Sequence, residues 1–163
     1  MIGERLFHLA ESNNWFSPLQ AGFRKGRSCE DKILNITQAI EDGFHHKRPH
    51  KRSVLVLLDF SKAYDTVWRQ KLLLSMLDKG VPMYLVHWLW GFLQNRLAKV
   101  RFNGTLSSSQ LYLQGLPQGS LFSPILFLFY INNLAEIHPP ETVNALFSDD
   151  DYSSIRPKEQ CCN

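Results

Sequence analysis

Cysteine is scarce in this chain and badly placed for cross-linking: Cys29, Cys161 and Cys162 are the only three in 163 residues. Adjacent cysteines rarely bridge each other, so a disulfide framework is excluded and a reducing compartment is the expectation. Long apolar runs are also missing. The longest, ILFLFYI at 125–131, falls well short of the roughly 20 residues that cross a bilayer, so no membrane partner is expected. The opening segment MIGERLFHLAES carries acid and base within its apolar stretch, unlike a signal peptide. Neither a repeat nor a low-complexity linker appears, and one compact unit is expected. Nor is there a large excess of charge: the formal net charge is +3, although the positives cluster at Arg24, Lys25 and Arg27 and in HHKRPHKR from His45 to Arg52. Such clusters follow a phosphate backbone or simply mark a solvated loop. The histidines of the second cluster keep no regular spacing and have no cysteine pair beside them, which argues against zinc.

What is present suits a folded core, with 44% hydrophobic and 12% aromatic residues. Leu6, Leu9 and Ala10 keep helical spacing over 4–15. Ser28 with Asp31 forms the pattern of a capping box, opening a helix to about Phe44 with Ile33, Ile36, Ile40 and Phe44 as its core stripe. SVLVLLDF (53–60) reads as a central strand. A helical pattern from about Thr66 stops at Gly80, with Pro82 beyond it, and a second runs from about Met83 to Asn95. Asn103-Gly104 marks a tight hairpin. Pro124 suits the start of a buried helix to about Leu134, and TVNALFSDDDYSSI reads as strand, acidic turn, strand. The order predicts an α+β domain with helices on one face of an antiparallel sheet.

Acid at the end of buried strands is the chemically pointed feature. Asp59 closes one apolar run, and Asp149 with Asp150 follows another. A carboxylate beside a buried strand is costly unless paired or bound to metal. If the two strands are neighbours, the three carboxylates converge into the hard, all-oxygen setting that Mg²⁺ or Mn²⁺ prefers. The plain alternative is that Asp149, Asp150 and Asp151 form a solvated turn.

AGFRKGRSCEDKI, LLDFSKAYDTVW, QGLPQGSLFSPILFLFYINNL and ALFSDD follow one another in the order and approximate spacing of reverse transcriptase motifs. The wording resembles the non-LTR (LINE-like) retrotransposon branch, jockey type, from about Leu6 to Ile155. The resemblance implies the fingers and part of the palm of a right-hand polymerase: 1–52 fingers-like, 53–156 palm-like and 157–163 a tail, with the thumb absent. It implies RNA-directed DNA synthesis, in which a dNTP is joined to a primer 3′-hydroxyl by two-metal chemistry. Asp59, Asp149 and Asp150 would be the ligands of two Mg²⁺ ions, with Mn²⁺ able to substitute and the Phe60 carbonyl adding an oxygen. Tyr64 would lie under the incoming sugar and exclude a 2′-hydroxyl. Gln118 and Gly119 would contact the nucleotide, with Arg24 and Lys25 near its triphosphate or the template. Ser123, Pro124 and Arg27 would face the template. The partners implied are an RNA template, a DNA primer, dNTPs and the element's other domains, with nuclear work suggested by the family alone.

Several residues depart from the family pattern. Ser148 and Asp151 flank the acidic pair in FSDDDY, and a third adjacent carboxylate brings like charge to the site. Phe122 stands where a smaller residue is usual and threatens to crowd the helix start. Asp65 matches a second family acid, and its expected job is to cap the helix that follows. The chain reads as a fragment or decayed copy of a mobile-element polymerase. An inactive remnant that only binds nucleic acid is the alternative, and a two-metal nuclease is a third reading that LPQGSLFSP argues against.

Overall fold

The computed structural model describes residues 2–45, 53–136, 142–147 and 150–155, with the backbone alone described from 135 onward. The basic run from His46 to Arg52 lies outside these residues, as does Asp149. The chain divides into two compact units, Met1–Phe7 with Lys62–Tyr130, and His8–Ser61 with Ile131–Asn163. Helix α1 (Ile2–Ser12) contributes residues to both. No helix among the described residues is long and apolar enough to cross a membrane.

The second of these units holds α2 (Cys29–His45), β1 (Val54–Asp59), a 3₁₀ segment at Asn132–Glu136, β6 (Thr142–Phe147) and β7 (Asp150–Ile155). The capping box forms as expected: the Asp31 amide donates to Ser28 Oγ at 3.2 Å and the Ser28 amide to Asp31 Oδ2 at 3.1 Å. The buried stripe of α2 differs from the predicted one. Lys32, Ala39 and Gly43 are buried, whereas Ile33 and Phe44 are 58% and 65% exposed. The helix lies against β6, and its buried positions run to one side of the bulky residues.

The three-stranded antiparallel sheet has the order β1-β7-β6. Among the described residues the apolar run 53–60 therefore forms an edge strand instead of a central one, and Leu57 is 62% exposed. Unbroken hydrophobicity signals a strand suited to burial on both faces, but strand order is set by which partners arrive later in the chain. The mixed α+β class stands.

The other unit holds α3 (Arg69–Asp78), α4 (Met83–Leu93), the short strands β2 (Leu97–Ala98), β3 (Arg101–Phe102), β4 (Thr105–Leu106) and β5 (Gln110–Leu111), and nearly all of α5 (Ser123–Ile131). Val67, Leu72, Met76, Leu89, Leu93, Leu116, Leu126 and Phe127 are buried. Gly80 ends α3 at φ +85° with its amide on Leu77 O and that of Val81 on Met76 O, the paired bonds of a Schellman stop. At the hairpin tip, Asn103 and Gly104 both have positive φ, as a type I′ turn requires. Here β3 pairs with β4 and β2 with β5.

Candidate functional site

Asp59 is the last residue of β1, and the register sets it directly opposite Asp150, the first residue of β7. Asp150 also pairs with Phe147 of β6, so the two acidic positions share one end of the sheet. Asp150 and Asp151 are ladder residues of β7, which overturns the reading of all three acids as a solvated turn. Asp59 and Phe60 are exposed. Among the described residues no three His, Cys, Asp or Glu side chains gather as a metal site, and Asp149 is not one of those residues.

Within the same unit, the loop after α1 is built on Arg24. Its guanidinium donates to both carboxylate oxygens of Glu11 at 2.8 and 2.7 Å, and to Ser17 O at 2.7 Å and Gln20 O at 3.2 Å. It also lies over the Phe16 ring at 5.6 Å. Arg24 is buried, and its hydrogen bonds to Glu11 hold that carboxyl below its ordinary pKa of 4.5. The fork is thus committed to the protein, while Lys25 beside it is exposed. Arg27, also exposed, donates to Pro18 O at 2.6 Å. Lys32, one turn into α2, has its pKa lowered by burial first and then by Arg27 and Arg24.

In the other unit, the segment after Ala63 and the loop before α5 are sewn together. The Leu116 amide donates to Tyr64 O at 2.7 Å and the Gly115 amide to Val67 O at 2.8 Å. Gly115 has φ +79°, and a Cβ there would stand 2.6 Å from Asp65 O and 2.8 Å from Tyr64 O, so only glycine fits. Tyr64 stacks on the buried Phe127 ring of α5, centroids 5.0 Å apart. Gln118 and Gly119 are exposed at the turn, and Gly119 has φ +80° with nothing within 4 Å of its missing Cβ. Ser123 is buried and donates through Oγ to Pro117 O at 2.6 Å, closing the turn onto the helix start beside Pro124.

Three residues outside the predicted site shape this turn. Arg69, buried at the start of α3, donates to Gly115 O, Leu93 O, Tyr112 O and Gln114 O at 2.7–3.0 Å. Burial is the main cause of its lowered pKa. A signal existed in the sequence: Arg69 falls on the same helical stripe as Leu72, Leu73 and Met76, and an arginine on a buried face needs acceptors. Asp65 does not cap α3, whose N-cap is Trp68 without a side-chain bond. Instead its Oδ1 accepts from Tyr112 Oη at 2.9 Å and from Gln118 Nε2 at 3.1 Å. The third is Tyr112, whose pKa is raised by burial first and by the bond to Asp65 second. Nothing local distinguishes it in the sequence. Phe122, expected to crowd the helix, is accommodated between Trp88 and Phe92 of α4 at 5.3 and 5.4 Å.

An α+β chain with two acidic positions opposed at a sheet end, and a glycine-bearing turn braced against a helix, fits a polymerase-like class. The chain belongs to the family described as reverse transcriptase (RNA-dependent DNA polymerase), whose pattern matches residues 2–161. It is 26% identical over 169 residues to the "Probable RNA-directed DNA polymerase from transposon BS" of Drosophila melanogaster, with all of this chain and 18% of that protein covered. It is 25% identical over 157 residues to the "RNA-directed DNA polymerase from mobile element jockey" of the same organism, covering 92% of this chain and 17% of that protein. A third relative, the "Retrovirus-related Pol polyprotein from type-2 retrotransposable element R2DM", also of Drosophila melanogaster, is 27% identical over 152 residues, with 87% and 14% covered. The chain thus spans less than a fifth of the length of these relatives.

Proposed function

We propose that this chain is a nucleotidyl-transfer segment of an RNA-directed DNA polymerase of a non-LTR mobile element, its sequence divided into a fingers-like part (1–52) and a palm-like part (53–156). The observation that carries this is the register of Asp59 opposite Asp150. Like charges directly opposed in a ladder are destabilising, so the pairing makes sense where a cation lies between them. Reverse transcriptases generally use divalent metal ions, and Asp59, Asp150 and the adjacent Asp149 supply the oxygen donors that Mg²⁺ or Mn²⁺ prefers, with the Phe60 carbonyl as a further oxygen. Bound there, two such ions would favour ionisation of the primer 3′-hydroxyl and neutralise the departing pyrophosphate.

The chain's own groups would then orient the reactants. Tyr64, braced on Phe127, would lie under the incoming sugar and exclude a 2′-hydroxyl. Gln118 and Gly119 present an exposed amide and an open backbone to the nucleotide. Exposed Lys25 supplies charge for the triphosphate, and Arg24 fixes the loop that carries it. Arg27 faces the template phosphates, while Ser123 and Pro124 shape the template side by setting the helix start. In the reaction the primer oxygen bonds to the α-phosphorus as the α–β bridging bond breaks, and pyrophosphate leaves.

The test is primer extension on an RNA template with Mg²⁺. We expect extension by the full chain and loss of at least about a hundredfold in Asp149→Asn, each lost ligand costing several kcal/mol of charge stabilisation. Salt-dependent RNA binding without extension, unchanged in Asp149→Asn, would mark a binding remnant instead.

A further inference from the structure

We infer that Asp65 is a positioning residue: it holds the Gln118 amide with its nitrogen inward and its carbonyl oxygen toward the nucleotide, so that the site selects a nucleotide group that donates a hydrogen bond. The inference rests on the proposed nucleotide site but makes a claim of its own about the orientation of one side chain. An ionised carboxylate has no proton to give, so whichever end of the glutamine amide faces Asp65 Oδ1 must be the N–H end. The 3.1 Å separation of Nε2 from Oδ1 is a hydrogen bond of this kind. The oxygen of a planar amide lies on the opposite branch from that nitrogen, and an exposed Gln118 carries it toward solvent.

Asp65 is itself unable to drift. Its amide donates to Lys62 O at 2.9 Å, the neighbouring Tyr64 carbonyl accepts from Leu116, and Gly115 is packed against its backbone. Tyr112 Oη donates to the same Oδ1, which fixes the direction of the carboxylate. Tyr112 and Gln118 thus both present donors to Asp65 Oδ1. Without the carboxylate, a surface glutamine has three free torsions and an amide that turns either way round. Its preorganisation toward ligand would be lost.

A dNTP offers two donors that could meet the Gln118 oxygen, a sugar 3′-hydroxyl and a base N–H. These are separated by ddTTP, which lacks the first, and N3-methyl-dTTP, which lacks the second. The experiment measures equilibrium binding of dTTP and both analogues, with Mg²⁺, to the full chain and to Asp65→Ala, Gln118→Met and the double variant. It also records the side-chain amide resonances by ¹⁵N NMR, with Gln118 assigned by the signal that Gln118→Met removes.

The expected result is a roughly tenfold weaker affinity for dTTP in Asp65→Ala, which removes the acceptor altogether, the size of one well-made hydrogen bond. One of the two analogues, already weak with the unaltered chain, should be unaffected by this change. In the Gln118→Met background, Asp65→Ala should then have no further effect. The Gln118 amide signal should shift in Asp65→Ala. Equal weakening of all three nucleotides, or an Asp65 effect that persists without Gln118, would show a general structural role and overturn the inference. A Gln118 signal indifferent to Asp65→Ala overturns it too. If the unaltered chain binds no nucleotide at all, the polymerase reading and the selection of a donor both fall, while the amide signal still decides the orientation.

Discussion

Replacing Arg69 with methionine keeps most of the aliphatic volume of a buried residue and withdraws the donors from four carbonyl oxygens at once. A hydrogen bond from a charged donor contributes roughly 1.5–3 kcal/mol, so four would suggest about 6–12 kcal/mol if they were independent. They are not. All four share one guanidinium, whose desolvation is relieved when it goes, and the carbonyls of Tyr112 and Gln114 are only part-buried and can take water in its place. The carbonyls of Leu93 and Gly115 are bonded in buried surroundings and are left without this partner. We therefore expect a loss of about 3–4 kcal/mol, a large part of the total stability of a small domain. With a urea m-value of about 2 kcal/mol/M, the unfolding midpoint falls by about 1.5–2 M. Arg69→Lys should recover less than half of this, because three donors on one nitrogen cannot match the planar fork. A midpoint change below about 0.5 M for Arg69→Met would refute the account of Arg69 as the brace of the 112–115 segment.

Three further outcomes follow from the geometry. Gly115→Ala combines positive φ with backbone overlap at 2.6 Å and should cost about 3 kcal/mol or more, measured by chemical unfolding; a neutral substitution would show that the 64–65 and 115–116 segments pack more loosely than this distance requires. Because the Glu11 pKa is lowered in the folded chain, its pairing with Arg24 stabilises above the unfolded value near 4.5 and is lost as pH falls through the folded value; Glu11→Gln should flatten that acid limb of a stability–pH curve. Tyr112 has a raised pKa, so its contribution is complete below the ordinary tyrosine value of 10.0 and disappears as pH rises through the folded value; ultraviolet titration should find a late-ionising tyrosine phase, and Tyr112→Phe should remove that phase.

Much of the local structure was legible because its causes are local. Ser28 and Asp31 are three residues apart, and the capping box they form needs nothing else. Asn103-Gly104 and Gly80 have positive φ, which their residue types allow at little cost, and the hairpin and helix stop follow. The four family motifs could be read because they are short words in a fixed order, and the match over residues 2–161 agrees with them. Strand order was not legible: the apolar run ending in Asp59 looks suited to the middle of a sheet, yet among the described residues it pairs only with β7 and lies at the edge. The stripe on α2 also differed from the periodic reading, with Ala39 and Gly43 buried where Ile33 and Phe44 were expected.

By itself, then, the amino-acid sequence determined family membership, the α+β class, the turns and caps, and the residue types available for chemistry. Only the tertiary structure decided what Asp65 and Arg69 do, since their partners lie 43–53 positions away for Tyr112, Gln114, Gly115 and Gln118. It also turned Arg24 from a free cation into the brace of its loop. The physical reason is common to all three: a charged side chain takes its role from the donors and acceptors that surround it, and those are brought together by packing, which no short stretch of sequence contains.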